Sequence, residues 1–230
     1  MTEMTGEKLA SYIDHTLLAA TATSGDIKQH CKEAVEYGFC TVLTNPRWIP
    51  LVSELLIDSK VKVGSVISFP FGTELPKTKT TQAKEAIFAG ADEIDMVADL
   101  ASVIEGNRDY LLKDIKKIAK ICHSMRPKVT LKIIIETAAL TCEQKIFACQ
   151  IAAEAGADFL KTSTGLHKAG GATTEDVYLL KANAAGCKVK AAGGIKTLQQ
   201  TLDMIVAGAD RIGTSSGVAI ITEMIREKNQ

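Results

Sequence analysis

The chain has 230 residues, 46% hydrophobic and 23% charged, and its 27 basic and 27 acidic side chains cancel to zero net charge. That composition excludes the disordered and fibrous classes, and no apolar run approaches the ~18 residues a spanning helix needs. It also excludes a basic field, so neither nucleic acid nor an anionic membrane surface is an expected partner. The first residues lack the basic and apolar regions of a secretory signal. The six cysteines (31, 40, 122, 142, 149 and 187) form no Cys-x-x-Cys pair, so reduced thiols and a cytoplasmic location are expected.

In chain order, short apolar runs predict strands over 12–17, 40–44, 62–68, 93–98, 130–135, 159–162, 188–191 and 211–213. Amphipathic stretches predict helices over about 25–36, 47–57, 76–88, 108–123, 141–154, 174–184, 197–206 and 216–227. Ser24, Thr141, Thr174 and Thr197 stand where a helix N-cap oxygen is wanted. The tetrapeptide Ala-Gly-Ala-Asp occurs at 89–92, 155–158 and 207–210, each time between a helical stretch and an apolar run. It reads as a helix closed by glycine, a turn, then a buried strand. Eight strand–helix units of about 29 residues, with no linker between them, predict an α/β fold: a single-domain (β/α)8 TIM barrel over 1–230. The competing layout is an open doubly wound sheet, but no Gly-x-Gly-x-x-Gly follows an early strand to support a dinucleotide site.

In a barrel the chemistry sits at the C-terminal strand ends. Lys132, Lys161 and Lys190 fall inside the fifth, sixth and seventh apolar runs, on neighbouring strands. A single buried lysine is most simply an ion-paired structural group. Three together depress one another's pKa by like charge and desolvation, and a neutral amine attacks carbonyls. The cluster predicts Schiff-base chemistry. Asp95, in the fourth run, is either a salt-bridge partner to these lysines or a proton shuttle, and both can hold together. Asp14 and Glu136 are weaker candidates of the same kind.

A second group is rich in glycine and hydroxyls: Ala191-Ala-Gly-Gly-Ile195, Gly213-Thr-Ser-Ser-Gly217 and Thr162-Ser-Thr-Gly165. Backbone N–H groups, hydroxyls and a helix N-terminus make an anion cradle, and the loops after strands 7 and 8 are the usual phosphate site of a barrel. Lys132 and Asp14 are expected as further substrate contacts. The stiff apolar segment Phe69-Pro-Phe-Gly72 is placed at the pocket floor. His167 and Lys168 follow the sixth strand, near any ligand. The four histidines show no zinc spacing, and no metal or cofactor is expected.

These motifs together resemble the deoxyribose-phosphate aldolase family. The matching stretches are Ile13-Asp-His-Thr-Leu17, Val66-Ile-Ser-Phe-Pro-Phe-Gly72, Gly90-Ala-Asp-Glu-Ile-Asp-Met-Val97, Leu131-Lys-Ile-Ile-Ile-Glu-Thr137, Asp158-Phe-Leu-Lys-Thr-Ser-Thr-Gly165 and Lys188-Val-Lys-Ala-Ala-Gly-Gly-Ile195. The resemblance implies a class I, metal-independent aldolase that interconverts 2-deoxy-D-ribose 5-phosphate with D-glyceraldehyde 3-phosphate and acetaldehyde. It implies that Lys161 forms the Schiff base, Lys190 lowers its pKa and shares in proton transfer, Asp95 gives and takes the proton, and Gly165, Gly193, Gly194, Ser215 and Ser216 hold the phosphate. The expected partners are a phosphorylated sugar and aldehydes, with a homodimer as the assembly the family suggests. Ala98-Asp-Leu100, Leu43 and Leu166-His-Lys168 depart from the family pattern.

Overall fold

The alternating runs become eight parallel strands that close on themselves in sequence order, β1 pairing with β8. A computed structural model describes residues 4–228. The strands are β1 (Ile13–Leu17), β2 (Thr41–Thr44), β3 (Lys62–Ile67), β4 (Glu93–Val97), β5 (Thr130–Ile134), β6 (Phe159–Lys161), β7 (Lys188–Ala192) and β8 (Arg211–Thr214). Around them lie α1 (Gly6–Ala10), α2 (Ser24–Tyr37), α3 (Ile49–Leu55), α4 (Pro76–Phe88), α5 (Leu100–Glu105), α6 (Arg108–Ser124), α7 (Cys142–Glu154), α8 (Thr174–Asn183), α9 (Leu198–Val206) and α10 (Gly217–Lys228). Short 3-10 turns at Pro46–Trp48 and Thr137–Ala139 complete the order. The closed barrel is the expected one, and the open sheet is excluded.

Two short helices, α1 and α5, were not anticipated. Each has fewer than two turns, too few for an amphipathic period to register. Asp99, where the chain departs from the family pattern, caps α5 by accepting the Ser102 N–H at 2.7 Å. Two expected caps shift by one residue. The caps of α2 and α8 are Thr23 and Thr173, not Ser24 and Thr174, because an aspartate stands three residues beyond each. Thr23 Oγ1 accepts the Asp26 N–H while Asp26 takes the Thr23 N–H at 2.8 Å, a reciprocal pair that Ser24 cannot form with Ile27.

The Ala-Gly-Ala-Asp repeat has one structural meaning in all three places. Gly90, Gly156 and Gly208 turn at φ +109, +93 and +110, which a glycine adopts without a Cβ clash. The alanine that follows returns its N–H to Ala86, Ala152 or Met204 at 3.0, 3.0 and 2.9 Å, closing the helix. The aspartate then accepts an N–H from the preceding strand: Asp92 from Val63, Asp158 from Leu131 and Asp210 from Val189, at 2.9, 2.9 and 2.8 Å. The motif pins helix ends to strand starts at the N-terminal face, where conservation of geometry serves stability.

Strand alternation divides the core in two. Ile13, Val42, Ile94, Leu131, Leu160, Val189 and Ile212 face outward and join the apolar layer between sheet and helices. The inward positions carry charge. Lys132 Nζ on β5 reaches Asp14 Oδ2 on β1 at 3.0 Å, a contact possible only across the lumen. His15, one residue on, therefore points outward, where it stacks on His30 of α2 at 3.6 Å and bonds Glu33 at 3.0 Å.

Candidate active site

A cavity of about 360 Å³ opens at the C-terminal strand ends. Lys161 lies at its base, and Gly165, Gly193, Gly194, Lys196, Thr214 and Ser215 form much of its wall. Lys161 reaches the cavity because β6 is only three residues long, so its last residue is level with the rim. Lys161 Nζ donates to Asp95 Oδ2 at 2.9 Å, and Lys190 Nζ donates to the same oxygen at 2.8 Å. All three side chains are buried, with Lys161 2% exposed and the other two fully enclosed.

Four cations, Lys132, Lys161, Lys190 and Arg211, face three carboxylates, Asp14, Glu93 and Asp95, in this lumen. Burial pushes the Lys161 amine down to about 8, aided by the charges of Lys190 and Lys132 and opposed by Asp95. Of the two causes expected, desolvation therefore does more of this work than the cationic neighbours. Burial acts upward on Asp95, yet Lys132, Lys161 and Lys190 together hold its carboxyl well below the usual range. Burial acts downward on Lys132, but Asp14, Asp95 and Glu93 outweigh it and keep that ammonium well above its ordinary pKa.

Expected and observed placements differ at several residues. Lys132 and Asp14 sit inside the barrel, both 0% exposed, and neither lines the cavity. Their substrate contact is corrected to ion pairing beneath the site: an inward side chain at mid-strand, two residues below the rim, meets other strands rather than ligand. Ser216 is not part of the wall; its N–H is taken by Thr214 Oγ1 at 2.9 Å. Phe71 is 72% exposed, and the Phe69–Gly72 segment does not line the cavity. Phe159 lies deeper in the lumen, with Lys132 Nζ 5.9 Å and Arg211 Cζ 5.8 Å from its ring centroid. His167 and Lys168 are exposed and outside the wall. Leu43 is buried and outside it too.

The cradle is built by backbone close approach. At Gly193, φ is +93, and a Cβ would lie 3.0 Å from the Gly171 Cα and 3.2 Å from the Gly165 Cα. Thr162 Oγ1 donates to the Ala192 carbonyl and accepts the Ala192 N–H, both at 3.0 Å, so the loops after β6 and β7 are joined above the ladder. Glu136, at φ +54 and 1% exposed, accepts the Thr164 N–H through both oxygens at 3.2 Å and fixes the start of that loop. Replacing Gly193 by alanine is expected to raise KM about tenfold and destabilise by ~1–3 kcal/mol through strain and overpacking. Gly194→Ala, where a Cβ meets nothing within 4 Å, is expected to perturb packing less. Parallel KM and thermal-melt measurements on the two variants check this.

Sequence reasoning missed Lys196 and Thr16 in the wall, and Glu93 and Arg211 in the lumen. Lys196 could have been found, since it stands two residues past the Gly-Gly turn. His15, His30 and Glu33 also cluster, with ligand atoms within 4.8 Å of one another. The two rings are stacked at an interplanar angle of 12°, so their in-plane lone pairs run side by side instead of converging on one ion.

A profile of the DeoC/LacD family aldolases matches residues 8–223. A deoxyribose-phosphate aldolase of Caldicellulosiruptor saccharolyticus is 50% identical over 221 residues, covering 96% of this chain and 100% of that protein. One from Thermococcus gammatolerans is 50% identical over 95% of this chain and 97% of its own. The tetrameric deoxyribose phosphate aldolase of Aeropyrum pernix superposes with a TM-score of 0.89 at 33% identity, covering 96% and 92% of the two chains. Family and relatives span nearly the whole sequence, and the chain belongs to the DeoC/LacD family of aldolases: it is a lyase that acts on a carbon–carbon bond.

Proposed function

We propose that the chain cleaves 2-deoxy-D-ribose 5-phosphate reversibly to D-glyceraldehyde 3-phosphate and acetaldehyde through a Schiff base on Lys161. The observation that carries this reading is the Lys161 amine at the cavity base, held near neutrality by burial and hydrogen-bonded to Asp95. With a pKa of about 8, about one amine in ten is unprotonated at pH 7 and can attack the C1 aldehyde.

Loss of water from the adduct gives a protonated imine, the electron sink that cleavage requires. The C3 hydroxyl gives up its proton, the C2–C3 bond electrons move into the imine, and the three-carbon aldehyde phosphate departs from an enamine on Lys161. Protonation of the enamine at C2 and hydrolysis release acetaldehyde and restore the amine. Asp95 with a bound water serves both proton transfers, because its Oδ2 touches the Nζ atoms of Lys161 and Lys190 and a proton can pass among them. The glycine-rich loops after β6, β7 and β8 hold the phosphate by backbone N–H groups and by Ser215, with Lys196 adding a positive charge at the rim.

Borohydride added with acetaldehyde tests the reading. A two-carbon adduct on Lys161, located by peptide mapping, is the expected result. A three-carbon adduct formed only from a ketose phosphate would overturn the substrate, and an unmodified Lys161 would overturn the mechanism. Because the neutral amine is the reactive form and its pKa is lowered to about 8, kcat/KM is expected to rise with pH and level off above about 8. A profile flat from pH 6 to 9, measured by a coupled assay, would contradict the assignment.

A further inference from the structure

Six of the seven charged side chains of the lumen form one closed circuit running down the barrel, and the seventh, Lys161, branches from it at Asp95. Lys161 Nζ meets Asp95 Oδ2 at 2.9 Å, and Asp95 Oδ1 lies 3.2 Å from Lys132 Nζ. Lys132 also holds Glu93, whose Oε1 is 3.2 Å from Arg211 Nη2. Arg211 bonds Asp14, and Asp14 Oδ2 lies 2.6 Å from Lys190 Nζ, which returns to Asp95 at 2.8 Å. Arg211 is the most exposed of the seven, with 15% of its side chain accessible.

Buried ionic groups are costly unless compensated, so such a circuit favours neutrality. Four cations against three carboxylates leave one proton in excess. Arg211 does not release a proton under ordinary conditions. Lys132 touches three carboxylates, Lys190 two and Lys161 one. Lys161 is therefore the group that gives the proton up at least expense. We propose that Glu93 and Arg211, at the end of the barrel opposite the cavity, are positioning residues for the reaction: they fix the proton count of the lumen and so set how readily Lys161 gives up its proton.

The proposal rests on Lys161 being the imine-forming amine. The ionisable groups around the lumen come from six of the other seven strands or their starts, all but β3: Asp14 from β1, Cys40 just before β2, Glu93 and Asp95 from β4, Lys132 from β5, Lys190 from β7 and Arg211 from β8, with Asp95, Lys190 and Lys132 acting on Lys161 itself. Beyond the strand ends, Glu136 is engaged with the Thr164 N–H. Glu93 stands two residues below Asp95, about 7 Å along the strand. Unit charges about 10 Å apart at an effective dielectric of about 20 shift a titration by on the order of one pH unit.

The test measures the pH midpoint of acetaldehyde trapping on Lys161, by cyanoborohydride and peptide mass spectrometry, in four variants. Glu93→Gln removes a negative charge and is expected to lower the midpoint by about one unit. Arg211→Gln removes a positive charge and is expected to raise it by about one unit, costing up to tenfold in adduct formation at pH 7. The double variant restores the charge balance and is expected to return the midpoint to within about 0.3 units of wild type. Cys40→Asp adds a carboxylate beside Arg211 without removing any partner and is expected to raise the midpoint, which keeps the test decisive where a single loss prevents folding. Single variants that shift in the same direction, or midpoints unmoved in Cys40→Asp and the soluble singles, would overturn the proposal. Absence of an adduct on Lys161 of the wild-type protein would instead overturn the Schiff-base reading on which it rests.

Discussion

Replacing Lys161 by leucine is expected to leave a folded protein whose turnover has fallen by on the order of 10³-fold or more, the scale of losing a covalent nucleophile. Two physical effects separate here. Among the described residues no other amine lines the cavity base: Lys190 and Lys132 are enclosed in the lumen, and Lys196 sits on the wall beyond the Gly-Gly turn. Lys161 is also the cation in excess over the three lumenal carboxylates, and Asp95 keeps Lys132 and Lys190 when it goes. An apolar side chain of similar length should therefore be neutral to stabilising by about 1 kcal/mol. Turnover assays beside thermal melts measure both. Retention of more than a few per cent of the rate would remove the Schiff base from Lys161, and a large fall in Tm would mean that its ammonium is an essential structural charge.

Asp95→Asn should behave in the opposite way, losing both activity and stability. Asp95 Oδ2 is the single atom shared by Lys161 and Lys190, so its loss breaks the proton path and is expected to slow turnover by on the order of 10²-fold or more. It also leaves four cations facing two carboxylates, and breaking a buried ion pair in this way costs about 3–5 kcal/mol. The sign of the pH dependence follows from the direction of the shift. Burial raises the Asp95 pKa, but the three ammonium groups overcome it and hold the folded-state value below the unfolded one. The stabilisation is then complete above the unfolded pKa of about 4 and is lost as pH falls through the folded value. Denaturant titrations should find the gap between wild type and Asp95→Asn constant from pH 8 to 5 and narrowing below about 4. A near-normal rate in this variant would transfer the proton to water or Glu136.

What could be read before the structure was local. The strand runs, the Gly-terminated helices and the Thr141 and Thr197 caps depend on neighbours within four residues, and these were placed to within a residue or two. Lys161, Lys190 and Asp95 were recognisable because a charge inside an apolar run must be compensated by something. The errors have the same origin. Ser24 and Thr174 satisfy the composition rule for a cap, but the choice depends on which residue has an aspartate three positions on. Lys132 was grouped with Lys161 because both interrupt apolar runs, although the strand register sets Lys132 level with Phe159 and Lys161 one layer higher, level with Ile134.

The sequence by itself therefore determined the eightfold alternation, the identity of the chemical groups and the glycine-rich loops, because periodicity, capping and backbone freedom are properties of adjacent residues. Tertiary structure alone decided which charges meet. The stagger of a closed barrel brings β1, β4, β5, β7 and β8 to one axis, and pairs 118 and 197 residues apart, Asp14 with Lys132 and Asp14 with Arg211, become ion partners. Depth along that axis then separates a cation held by three carboxylates from an amine that touches one and opens onto the cavity. Desolvation and charge balance act over that geometry, and no linear pattern carries it.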